Sequence, residues 1–247
     1  METTNENIRI DITENGTTTL ATAGKYCDRN IDVNADKVYE AGQQSEYDRF
    51  WDLFQQNGAR DDYAYGFSGA GWNDENFKPK YDIVVGYDAT GMFRQSRIVN
   101  LKQCLESCGV VLDFLRCSSA VGLCVNCSVL KVFPKVSFSN MKGSTQAFYN
   151  CPELETVEVE FGEQTVFSNT FYKCNSLTHL IVTGVIGQNG LDLHWSTKLT
   201  HDSLMSIINA LQTKTSGTWT VTLGSENLAK LTDAEKAIAT QKGWTLL

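Results

Sequence analysis

Ile8, Ile10 and Ile12 alternate with Arg9 and Asp11, the two-residue period of a strand with one apolar face. Asn15-Gly16 then marks a tight hairpin turn, Thr17 to Leu20 continue with β-branched bias, and Ile31 and Val33 resume the alternation. Residues 1–35 are therefore expected to form a small β-module. The period changes after that. Tyr47, Phe50, Trp51 and Phe54 stand at i, i+3, i+4 and i+7, which predicts a helix over 36–57 with Asp36 as its cap and Gly58 as its stop. That stripe either closes the next segment as a cap or forms a homo-oligomeric, for instance trimeric, interface.

A longer period runs through the middle of the chain. Cys104, Cys127, Cys151 and Cys174 recur at a nearly constant interval, roughly 23 residues, a period typical of stacked-repeat architectures. Three places before them stand Leu101, Cys124, Phe148 and Phe171; three after stand Ser107, Leu130, Leu154 and Leu177. Six after stand Val110, Phe133, Val157 and Leu180, and eight after stand Leu112, Lys135, Val159 and Val182, with Val136 fitting after a one-residue shift. Of these 20 places 18 are apolar or Cys, where about 8 would be expected by chance. A unit this short cannot bury its apolar side alone, so the pattern predicts stacked units whose short strands form a parallel sheet over one continuous core. In this reading the cysteines are small apolar rungs. The competing reading is a zinc site, with Cys124-x-x-Cys127 and the Cys104, Cys108 pair as its four thiolates.

The pattern Phe-x-x-Cys-x-x-Leu-x-x-Val/Leu-x-Val, clearest at Phe148–Val159 and Phe171–Val182, resembles the BspA-type leucine-rich repeat. The resemblance covers about residues 92–186, and in its first two copies Leu101 and Cys124 replace the aromatic. It implies a mixed α/β protein built on a leucine-rich-repeat solenoid. Such repeats occur in bacterial surface proteins and in proteins encoded by phages and prophages of gut bacteria. The string Ile12-Thr-Glu-Asn-Gly-Thr17 also resembles a short β-module that opens many phage tail and baseplate-associated proteins. Together these imply a phage virion component that attaches to other virion proteins through 1–35 and contacts a host-surface glycan or protein. A bacterial adhesin and a glycan-active enzyme are the alternatives.

On this scheme residues 36–91 form a helix and an aromatic-rich N-terminal cap, 92–190 the repeats, and 191–247 an α/β C-terminal cap. Residues 47–93 hold 12 of the 26 aromatic residues. Tyr63, Tyr65, Trp72 and Asp74 are the candidate ligand-binding residues, because flat aromatic faces beside Asp, Asn and Glu suit a sugar ring. The other reading makes the same rings a folded cap. Near the C-terminus, Leu204, Ile207, Ile208 and Leu211 form a helical stripe with Thr200 as its cap candidate. Thr232-Asp-Ala-Glu235 is a capping box that opens a second helix, ended at Gly243. The segments 219–223 and 244–247 flank this helix as strands, expected to extend the repeat sheet.

The formal charge is −8, which argues against general nucleic-acid binding. Ten acidic residues fall in 1–50, whereas 94–142 carries seven basic and two acidic residues, so unlike faces or head-to-tail contacts are both open. No apolar run approaches the roughly 20 residues of a membrane-spanning helix, so membrane insertion is not expected. The polar, acidic N-terminus is unlike a signal peptide, and virion assembly in the host cytoplasm is the expected setting. The three histidines, His179, His194 and His201, belong to no metal motif, and no nucleophile elbow, phosphate loop or dinucleotide fingerprint occurs. Asp192 and His194 are the one weak metal pairing, and Cys27 has no activating histidine nearby. No catalytic residue, cofactor or metal is expected.

Overall fold

A computed structural model describes residues 8–14, 17–23, 60–69 and 71–247, with side chains from Tyr63 onward. The helix expected over 36–57, the strand at Ile31 and Val33, and Cys27 lie outside the described residues. The described chain is mixed α/β, with short parallel sheets and few helices.

Strands β1 (Ile8–Glu14) and β2 (Thr17–Ala23) pair antiparallel, with Glu14 opposite Thr17. This is the hairpin register that the Asn15-Gly16 signal predicts. Beyond it, β3 (Arg60–Asp62), β4 (Ile83–Asp88) and β5 (Leu112–Asp113) form one parallel sheet. A second parallel sheet contains β6 (Val136–Phe138), β7 (Thr156–Phe161) and β8 (His179–Gly184). Val136 pairs with Val159, and Val159 with Val182. The wet side of β7 carries Glu158 and Glu160, while Val157, Val159 and Phe161 are buried, as a strand with one covered face requires.

The columns extend beyond the strands. Parallel bridges link Asp88 to Ser119, Ser119 to Gly143 and Gly143 to Val166, so each turn of the chain lies beside the next. A second line links Asn100, Val132, Thr156 and His179. Left-handed backbone recurs with the same rhythm, at Tyr65, Gly91, Gly122, Gln146 and Asn169, and again at Gln95, Asn126, Asn150 and Lys173. Asn is over-represented here because its short side chain tolerates positive φ; Asn150 also donates to Asn126 at 2.9 Å, tying one turn to the next.

Side chains stack on this backbone. Phe148 lies over Phe171 with ring centroids 5.5 Å apart and planes 9° apart. Leu130, Leu154 and Leu177 are buried in line, as are Phe133, Val157 and Leu180. The cysteine rungs are also in place. The thiol of Cys127 donates to the Phe93 carbonyl at 2.9 Å, that of Cys151 to Cys124 at 2.9 Å, and that of Cys174 to Phe148 at 3.1 Å. Each small side chain thus fills core space while its weak donor reaches a carbonyl of the turn before.

The first copy of the repeat needs correction. Phe93, not Leu101, continues the Phe148 column, since its N–H donates to Leu123 as the Cys124 N–H donates to Ala147 and the Phe148 N–H to Thr170. Ser96, not Cys104, neighbours Cys127, at 3.6 Å. Leu101 is the counterpart of Phe133, and Ile98 takes the leucine place. The reason is helix α1 (Leu101–Cys108), capped by the Asn100 side chain and stopped at left-handed Gly109. This helix lengthens one turn, so Cys104 precedes Cys127 by one nominal repeat without sharing its column.

The C-terminal end also differs in one respect from expectation. Helix α2 (His201–Ala210), with Thr200 as its cap, lies along β8 where a further strand would have paired. Ser203 accepts from the Leu180 N–H, and Ser206 from the Val182 N–H, both at 3.1 Å. The same hydroxyls donate to the carbonyls of Thr178 and Leu180. Two serines therefore satisfy the edge of the sheet, which would otherwise expose open donors. With that edge closed, β9 (Trp219–Val221) and β10 (Trp244–Leu246) pair in a separate parallel sheet. Helices α3 (Ser225–Leu228) and α4 (Asp233–Gln241) connect them, α4 with its Thr232–Glu235 capping box formed.

Candidate functional site

The aromatic segment after β3 folds inward. Phe67 stacks on Phe93 at 5.4 Å and meets Trp72 and Phe77 edge-on at 5.9 and 5.2 Å. Edge-to-face contacts at these separations are the favoured packing of aromatic rings. Tyr63 is 1% exposed, so neither face of its ring is open to a ligand. Trp72 is half-buried against the core and Tyr65 stands partly exposed at a left-handed turn. A Cβ on Gly91 would lie 2.6 Å from the Tyr65 ring, so that ring rests on the next turn and only glycine fits beneath it.

Asp74 is engaged with backbone. Its carboxylate accepts from Val99 N–H at 2.6 Å and from Asn100 N–H at 3.2 Å, and its carbonyl accepts from Lys78 at 3.1 Å. It thereby steadies the residue that caps α1. Asn73 and Asn76 close a local turn, each accepting from the other's backbone N–H. The four candidate residues thus divide: Tyr63 belongs to the core, Asp74 holds the α1 entrance, and only Tyr65 and Trp72 keep accessible ring surface. The geometry favours the cap reading of this cluster over a sugar platform.

The four thiols of the zinc reading are not gathered at one point. Cys104 and Cys108 lie on α1, whereas Cys124 and Cys127 lie in the buried columns. Among the described residues no group of three or more His, Cys, Asp or Glu side chains could hold a metal ion. Burial raises Cys117 to about 11, and burial with the adjacent Asp74 charge raises Cys104 to about 12. These thiols are held protonated, the opposite of an activated nucleophile. Asp192 and His194 bond each other instead, Nδ1 to Oδ1 at 2.6 Å. His201 pairs with Glu235 of the α4 capping box at 2.8 Å.

A row of rings was not singled out by the sequence reading. Tyr149 and Tyr172 stack at 4.8 Å, and Trp195 meets Tyr172 edge-on at 5.4 Å. The signal was available, because Tyr149, Tyr172 and Trp195 are equally spaced at the repeat interval, one place beyond the Phe148 column. Trp195, 36% exposed, lines an open cleft of about 660 Å³. Among the described residues no helix is long and apolar enough to cross a membrane. Compared with protein-family models, curated proteins and solved structures, the chain matches none of them.

Proposed function

We propose that this chain is a non-enzymatic structural and host-recognition component of a phage virion, in a tail, fibre or baseplate, built on a solenoid of BspA-type leucine-rich repeats. The observation that carries the reading is the set of in-register columns, with Phe148 over Phe171 and thiols bonded from turn to turn. Columns that recur once per short turn are what a leucine-rich repeat needs to bury its core, and they leave broad rigid flanks for contact. The aromatic-Cys-Leu pattern and the Ile12–Thr17 string carry the phage assignment by resemblance. The β1–β2 hairpin is the proposed attachment module, and the flanks between Tyr65 and Trp195 are the proposed contact surface.

The test is immunogold labelling of gradient-purified particles with an antibody to this chain. Label on the particles, with the chain co-sedimenting, is the expected result. Finding it only on the surface of phage-free cells would replace this reading with the adhesin. Reducing-sugar release that is lost in a single carboxylate variant would replace it with the enzyme.

A further inference from the structure

The cleft beside Trp195 is built as a rigid site. Its two walls are the 192–199 loop and the 223–230 segment, and buried Asn227 clips them together. The Asn227 amide donates to Ser196 at 3.0 Å and to Leu223 at 2.9 Å. Lys230 adds bonds to the carbonyls of Thr197 and Leu199, both at 2.7 Å. Gly224 lets the walls approach, since a Cβ there would sit 3.1 Å from the His194 backbone. A site held this way needs little reordering on binding.

Within the cleft the chemistry is mixed. Its lining includes Asn175, His194, Trp195, Thr197, Lys198 and Glu226. Asp192 fixes the His194 ring through Nδ1, leaving Nε2 for another partner. The indole N–H of Trp195, the Asn175 amide and the Thr197 hydroxyl make no hydrogen bond among the described residues. Glu226, whose carboxyl is held below its usual range by its own backbone N–H and the Ser225 hydroxyl, feels the charge of Lys230 and shares the lining with Lys198. Lys198 and Glu226 in the lining, with Lys230 and Asp192 beside it, balance in charge and leave no bias toward a phosphate or an ammonium ligand. Donors and acceptors together, around an exposed aromatic surface, match a polyhydroxylated ring with an apolar C–H face.

We propose that this cleft binds a neutral oligosaccharide, one pyranose ring lying against Trp195 and its hydroxyls held by the polar lining. Rings whose substituents are all equatorial leave the C–H face clear, which points to β-linked glucose or N-acetylglucosamine units. This gives chemical content to the recognition half of the proposed function and rests on that reading for its biological purpose. It moves the recognition site away from Tyr63, Trp72 and Asp74.

The experiment is an NMR titration of the purified chain with cellotetraose and with chitotetraose. Five tryptophans give five indole N–H signals, and Trp195→Phe identifies the one from Trp195. The expected result is a saturable shift of that signal with at least one sugar. Calorimetry should show affinity reduced about tenfold or more in Trp195→Ala, with the amide spectrum away from the cleft unchanged as the check that the variant folds. Absence of the shift with both sugars, or equal affinity in Trp195→Ala, overturns the site. The virion reading is tested separately by the labelled particles: loss of sugar binding with label still on particles removes the cleft proposal alone.

Discussion

The stretch 119–186 and the stretch 63–118 pack with the same devices and differ in regularity. In the first, bridged partners keep a nearly constant interval, Ser119 to Gly143 and Gly143 to Val166, and like stacks on like, Phe148 on Phe171 and Leu154 above Leu177. In the second, the interval is uneven, short from Asp62 to Asp88 and longer from Asp88 to Ser119. A helix interrupts one turn there, and rings of several elements converge edge-on around Phe67. Both regions bury most of their apolar residues, but 63–118 leaves Tyr81, Tyr87, Val111 and Leu115 exposed. Periodicity is thus one way to fill a core, and a cluster of unlike rings is another. The regular part yields a surface that repeats, whereas the irregular part gathers its rings into one cluster.

If the regular columns carry the fold, their removal should cost most. Phe148→Ala, between Phe133 and Phe171, is expected to lower unfolding free energy by about 3–5 kcal/mol in denaturant titration. Leu154→Ala and Leu177→Ala, both fully buried, should each cost about 2–5 kcal/mol, and near-neutral values for both would reject the column. The sheet edge comes next. Ser203→Ala should cost about 1–3 kcal/mol, because the Leu180 N–H loses its acceptor in a buried place. In the irregular region Asp74→Ala should cost about 1 kcal/mol, the value of a lost cap rather than of a ligand contact. It should leave sugar binding at the Trp195 cleft unchanged in the same titration.

The effect that vanishes at neutral pH is a pH dependence. Burial pushes the Cys174 thiol up to about 12, from an ordinary value of 9.0. The folded chain therefore keeps a proton that the unfolded chain releases, so this contribution is complete below about pH 9 and falls away as pH rises toward 12. Melting temperature should decline across that window, and less steeply in Cys174→Ala than in the parent chain. Native-state labelling with a thiol reagent should reach half-buried Cys108 well before Cys151 or Cys174.

Much of the regular region was legible because its chemistry repeats. The Leu, Val, Phe and Cys places of the last two copies stand where the spacing puts them, and Thr200 and Thr232 cap the helices they were expected to cap. The first copy misled because Cys104 and Leu101 satisfy the spacing by coincidence. Helix α1 shifted the register, and Phe93-x-x-Ser96 carries a hydroxyl where the template asks for a thiol. The closing of the β8 edge by serines was not legible, since nothing in a Ser-x-x-Ser spacing on a helix announces a neighbouring strand. The candidate site was read from aromatic density, which does not distinguish a buried ring such as Tyr63 from an exposed one such as Trp195. The equal spacing of Tyr149, Tyr172 and Trp195 is the sequence signal of the ring row that the fold assembles.

The central claim is that side chains one repeat apart lie directly over one another. Carbon-13 labelling of phenylalanine, with ring signals assigned through single Phe→Leu variants, tests it by nuclear Overhauser contacts. Rings with centroids 5.5 Å apart predict a strong cross-peak between Phe148 and Phe171. Assigned signals for both rings with no cross-peak between them would contradict the stacked columns and remove the support of the proposed function.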